Sequence, residues 1–281
     1  MSLSRFLIPL FITALFLTGC GSSGPEPPKP GSAAYNWNAA QEAYKSGDYA
    51  KANDLLVKLS EKQNEFTAQA QPLALVFTHG LTHAYVELWE KFEKGAKYSR
   101  ASAPAFRRQV NEYRAKATAA GMQFAEITRL YNQSPASGDV VFAFDFPQGL
   151  PDPPTQYQSI EQGQMVPPQD MEAMERHVIQ HEILFATCRA AGDVKDRGKA
   201  KALWQNGQAK LPRATYAIAL AEALFQTGEM FGPKKLSQPN RIIIVLYEEG
   251  LKALAPLPDN KEAQALAKKI KDAQKTIKSA L

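Results

Sequence analysis

The chain has 281 residues, 44% of them hydrophobic and 22% charged, with a formal net charge of +5 and a pI near 9.0. That length suits one large domain or two small ones and allows a substantial core. The charge is spread over many lysines and lacks the clustered basic face that nucleic-acid binding wants, so no nucleic-acid partner is expected. Cys20 and Cys188 are the only cysteines, too few for a disulfide framework.

Arg5 opens a short positive region, and Phe6 to Phe16 is an apolar run broken only by Pro9 and Thr13. The run is shorter than the ~20 apolar residues needed to cross a bilayer, which makes it a secretory signal rather than a membrane span. Leu17-Thr18-Gly19-Cys20 follows. It resembles the lipobox of bacterial lipoproteins, in which a peptidase cuts before the cysteine and the thiol carries a diacylglyceryl group. The resemblance implies that residues 1–19 are a signal peptide, that Cys20 is the lipid attachment site, and that the membrane is held through it. Two acyl chains anchor a protein stably where one does so only marginally. Gly21 stands where an Asp would retain an enterobacterial lipoprotein at the inner membrane. The expected location is therefore the cell envelope, at the outer membrane facing the periplasm. Loss of Arg5 lowers the net charge from +5 to +4. Cys188 would then have no intramolecular partner and reads as a small buried thiol.

Residues 20–34 hold the lipidated cysteine and a Gly-, Ser- and Pro-rich tether, GSSGPEPPKPGSAA after Cys20. A single domain is expected from 35 to 281. Trp37 to Glu65 predicts a helical hairpin, with Ala52, Leu55, Leu56 and Leu59 at helical spacing after the corner Gly47-Asp48-Tyr49. The run Ala43 to Ala52 resembles the turn of a tetratricopeptide repeat, with Ala40 and Ala52 at the small positions where the helices of that family cross. Asn36 occupies the place of the family's early Trp, although Trp37 is adjacent.

Gln71 to Lys94 is apolar nearly all round, which predicts a helix with neighbours on several sides. Ser102 to Gln133 predicts a second long helix, with Ser102 as N-cap, Pro104 in the first turn, and apolar residues alternating four and three apart. The proline-rich stretch from about 136 to 169 excludes helix. Within it Val140, Phe142, Phe144 and Phe146 alternate as in an extended segment. Helix resumes from Asp170. Ala200, Trp204, Gly207 and Pro212 then fall at spacing resembling a second repeat, and Tyr216 to Gly228 resembles a further first helix. Ile242 to Ala255 predicts a returning helix after a second proline-bearing insertion. A last helix is expected behind a capping box of Asp259 and Glu262, its lysines forming a solvated face. The expected fold is thus all-α, a tetratricopeptide-like solenoid of helical hairpins with a proline- and aromatic-rich non-helical insertion.

The four histidines form two i, i+4 pairs, His79 with His83 and His177 with His181. That spacing permits shared metal ligation. No cysteine or carboxylate cluster completes either site, and His181 shares a stripe with Met174, Val178, Phe185 and Cys188, so packing is favoured and no metal or other cofactor is expected. There is no His-Glu-x-x-His, phosphate loop, dinucleotide glycine fingerprint or serine elbow, and no catalytic residue is assigned. Phe142, Phe144 and Phe146 are the other candidates. They are either apolar anchors for a partner or ligand or a plug over an open end of the core, and the plug is favoured. The expected function is non-enzymatic: a lipid-anchored scaffold or adaptor of the envelope that binds a protein partner. Two alternatives stand beside it. One is a small-ligand-binding lipoprotein similar to those associated with tripartite periplasmic transporters. The other is a histidine-ligated metal protein.

Overall fold

The computed structural model describes residues 28–99, 102–134, 138–148, 156–192, 196–232 and 240–278. The expected signal segment, Cys20, residues 21–27 of the expected tether and the prolines of the second insertion lie outside the described residues.

The first hairpin follows from its caps. Ser32 accepts a hydrogen bond from the Tyr35 amide at 3.2 Å and starts α1 (Ala33–Lys45). Gly47, at φ +77°, lets the chain turn out of that helix. The Gly47 amide donates to Tyr44 O and the Asp48 amide to Ala43 O, which uses up two orphan carbonyls in a Schellman closure. Asp48 then caps α2 (Tyr49–Glu61) by accepting from the Lys51 amide. The predicted hairpin is present, and Ala40 and Ala52 are fully buried where the two helices cross.

The long apolar segment is α3 (Thr67–Tyr98), 32 residues. Pro72 lies inside it; the bond it cannot make would have gone to the carbonyl of Ala68, which is exposed and open to water. α3 packs antiparallel to α4 (Ala103–Gln133), and it also meets α2, the insertion, α6 (Pro168–Ala190) and α8 (Arg213–Met230). This is why it has no wide polar face. Repeat stacks bring together neighbours in sequence order; the contacts of α3 with α6 and α8 depart from that order, and the chain folds round α3. Ser102 occupies the expected N-cap position of α4, but its side chain makes no capping bond.

The insertion contains both strand and helix. Val140–Phe142 is β1. Gln156–Glu161 is a short helix, α5, which corrects the expectation of no helix: those six residues contain no proline, and the helix ends at Glu161, ahead of Gly163 at positive φ and of Pro167. The repeat-like stretch after α6 is also corrected. α7 (Arg197–Ala202) lasts less than two turns. Trp204–Gln205 (β2) and Gln208–Leu211 (β3) then form a hairpin around Asn206-Gly207, both at positive φ, as a two-residue turn of the I′ kind requires. Both pairings of the three-stranded sheet are antiparallel, in the order β1–β3–β2, so that Phe142 and Trp204 each face Ala209 from either side. The small Ala209 lets their rings stack above it, 5.8 Å between centroids.

The chain closes with α8, α9 (Asn240–Leu254) and α10 (Lys261–Lys278). α10 is capped by Asn260, which accepts from the Ala263 amide, and not by Asp259 as expected. Ala263, Ile270 and Ile277 carry its buried face. Among the described residues, no helix is long and apolar enough to cross a membrane.

Candidate functional site

The histidine pairs do not converge into one site. His79 is buried on α3, its ring stacked 5.4 Å from Phe124 and edge-on to His83 at 4.5 Å. Across on α6, His181 lies edge-on to Phe185, also at 4.5 Å. Glu182 lies between the two helices, its carboxylate 3.8 Å from His83 Nδ1 and 3.5 Å from His181 Nδ1. Burial drives the His83 pKa down to about 4 and outweighs the attraction of Glu182; Arg189 adds to the fall. His83 is therefore neutral near pH 7, and its approach to Glu182 is not an ion pair. His79 is held well below its ordinary value by burial, then by His83 and Arg189. Burial and His181 lower His177. Among the described residues no group of three or more His, Cys, Asp or Glu side chains is placed to hold a metal ion.

The polar seam continues along α3. Burial pushes Glu87 up, Glu182 adds to this, and a hydrogen bond with Tyr157 and the charge of Lys91 pull it back. Tyr157 comes from α5, under the Lys91 ammonium at 4.9 Å from the ring. Glu161 of α5 receives Lys91 at 2.7 Å and Lys94 at 2.6 Å. These contacts fix α5 on α3. Beside them a cavity of about 470 Å³ lies between Lys94, Tyr98, Gln158, Glu161 and Gln162.

The aromatic alternation leads elsewhere. Phe142 and Phe144 are buried, at 1% and 4% exposure. Phe142 packs against Trp204 and Tyr216, and Phe144 among Trp37, Tyr44 and Phe77. Their burial places them in the core, where neither offers a surface to a partner. Phe146 is half-buried, edge-on to Trp204 at 5.0 Å, and close to the small cluster of Leu184, Cys188, Ala191 and Ala200. Cys188 itself is fully buried.

Phe146 opens onto the principal groove. One cavity of about 750 Å³ is lined by the corner from Tyr44 to Gly47, Tyr49, Asp145, Phe146, Gln148, Gln180, Lys201, Trp204 and Gly207. A second, of about 470 Å³, shares Ser46, Gly47 and Tyr49 and continues along α6 past Glu172, Glu175, Arg176 and Ile179. The geometry is held by side chains far apart in sequence. The Tyr44 hydroxyl donates to the Asp145 carbonyl. Gln180 Nε2 donates to the Gly47 carbonyl at 3.0 Å. Trp204 Nε1 donates to the Phe144 carbonyl at 2.8 Å, so the part of its ring left for the groove is carbon. Tyr44 and Tyr49 stack at 5.0 Å beneath the groove, and burial raises the pKa of both hydroxyls.

Of the site residues expected from sequence, Phe146 alone borders this groove. Trp204, Gln180, Asp145 and Gln148 were missed. The one signal for Trp204 was Asn206-Gly207, a strong hairpin dipeptide, hidden by helical-repeat spacing. No protein-family model matches the chain, and neither a curated protein nor a solved structure does so.

Proposed function

We propose that this chain is a lipid-anchored adaptor of the bacterial envelope, tethered through Cys20 and receiving a segment of a protein partner in the groove between the α1–α2 corner, α6 and the aromatic sheet. The observation that carries the proposal is the junction of two open cavities, about 750 and 470 Å³, at Ser46, Gly47 and Tyr49. Pockets for drug-sized ligands run to about 300–1,000 Å³. Two cavities joined at Ser46, Gly47 and Tyr49 suit an extended chain better than a single small molecule, which favours the adaptor over a ligand carrier. The groove's walls are α1, α2, α6, α7 and β2 together with the 46–47 corner and residues 145–148.

The anchor reading rests on Leu17-Thr18-Gly19-Cys20. Residues 21–32 span at most about 40 Å when extended, enough to hold the groove clear of lipid headgroups. Detergent-phase partitioning tests the anchor. The wild type is expected in the Triton X-114 phase, and Cys20→Ser in the aqueous phase or retained as the unprocessed form, because the thioether cannot form. Equal partitioning of the two, with the same mature N-terminus, contradicts the anchor.

A further inference from the structure

The groove is electrically asymmetric. At the aromatic end Lys45 and Lys201 line the wall with a single acidic residue, Asp145. Lys201 forms no ion pair among the described residues, and Lys45 has only an exposed i, i+3 approach to Glu42 at 3.7 Å. At the other end the wall carries Asp48, Glu172 and Glu175 against Arg176. Arg176 is held by Glu172 at 3.0 Å. Glu175 accepts from Tyr113 at 3.1 Å and from Lys116 at 3.0 Å. Asp48 accepts the Lys51 amide, a neutral donor. The balance is positive beside Phe146 and Trp204 and negative beside Asp48. The half-buried carbon faces of Phe146 and Trp204 lie at the positive end with Gln180, whose amide nitrogen donates to Gly47, and Ser46, Gly47 and Tyr49 join the two ends.

Resting on the adaptor reading, we propose that the groove takes an extended peptide segment with ordered charges. An acidic side chain or terminal carboxylate lies at Lys45 and Lys201, an apolar or aromatic side chain lies on Phe146 and Trp204, and a cationic side chain several residues away lies at Asp48 and Glu172. A neutral glycan could use the aromatic faces but would leave both charged ends unmatched, whereas complementary charge sets register and orientation in a peptide.

The test pans a displayed library of random dodecapeptides against the full lipidated chain in detergent and measures selected peptides by fluorescence anisotropy. The enriched peptides are expected to share an acidic residue, an adjacent aromatic and a distant basic residue. Reversing Lys45→Glu with Lys201→Glu should weaken them about tenfold and strengthen peptides whose acidic residue is replaced by Lys. Glu172→Lys should act on the basic end alone. Peptides without charge order, or binding unmoved by these reversals yet lost in Phe146→Ala, overturn the ordered-charge inference and leave the groove standing. Selected peptides indifferent to Phe146→Ala as well would remove the groove. Failure to enrich any peptide overturns the inference, while crosslinking of a folded partner at the groove would still sustain the adaptor. Displacement of the peptides by an N-acetylglucosamine hexasaccharide overturns it in favour of a glycan.

Discussion

Phe144 is enclosed by Trp37, Tyr44 and Phe77, with ring centroids 5.3, 5.1 and 6.3 Å away. Truncation there removes buried area and leaves a cavity, so Phe144→Ala is expected to cost about 3–5 kcal/mol in urea unfolding. The half-buried Phe146→Ala should cost clearly less. Equal midpoints for wild type and Phe144→Ala would contradict the plug. His83 gives a second test at the same scale. Its folded pKa, about 4, lies below the unfolded 6.5, so as pH falls the unfolded chain takes the proton first. The stability due to neutral His83 is complete above pH 6.5 and is lost as pH falls towards 4, on the order of 3 kcal/mol at most. His79 shifts in the same direction. Glu87 opposes them: its raised pKa means that ionisation weakens folding as pH rises above 4.5. Urea midpoints at pH 7 and 4.5 should therefore fall less in His83→Gln than in wild type; an identical fall in both would show that His83 is not held neutral. Residue identities in the core were legible because alternation and helical spacing mark what must be hidden. The pairing of Glu182 with His83 was not, since it joins residues about a hundred positions apart.

Helices α3 and α6 meet where Gly80 faces Ile183. A Cβ on Gly80 would lie 2.8 Å from Ile183 Cα and 2.9 Å from its nitrogen, against backbone that cannot swing aside. Gly80→Ala gains about 1 kcal/mol of helix propensity but overpacks the crossing by about 1–3 kcal/mol or more, so a net loss is expected. Gly250 on α9 is the control. Its Cβ would sit at ordinary contact distances, 3.5 Å from Ile270 Cδ1 and 3.6 Å from the Ala221 carbonyl, and Gly250→Ala should stabilise by up to about 1 kcal/mol. Thermal melts of the two variants check both signs; a stabilised Gly80→Ala would mean that the helices do not cross so closely. Element by element, α1, α2, α4 and α8 to α10 could be read from sequence by their helical spacing, and α3 by the length of its continuous apolar run. The hairpin 204–211 could not, because Ala200, Trp204, Gly207 and Pro212 happen to match the spacing of a repeat helix. Its strands, of two and four residues, are too short to show a period of their own. The α5 turn was missed for a similar reason, six residues between prolines being overshadowed by the composition around them.

At the scale of the molecule, the all-round apolar character of α3 announced a helix enclosed by others, but not which others. Of the groove the sequence marked Phe146 alone. Its walls come from the α1–α2 corner, residues 145–148, α6 and the β2–β3 hairpin, and each is ordinary on its own. It exists because Tyr44 reaches Asp145 and Gln180 reaches Gly47. The adaptor reading requires a partner to touch this face of the body and to leave the lysine face of α10 free. A photo-crosslinking amino acid placed at Gln148, exposed on the groove rim, and separately at Lys268, exposed on α10, tests that requirement in intact cells. The account predicts a discrete protein adduct from position 148, none from 268, and loss of the 148 adduct when Phe146→Ala is added. Adducts of the same mass from both positions, or from 268 alone, would contradict it.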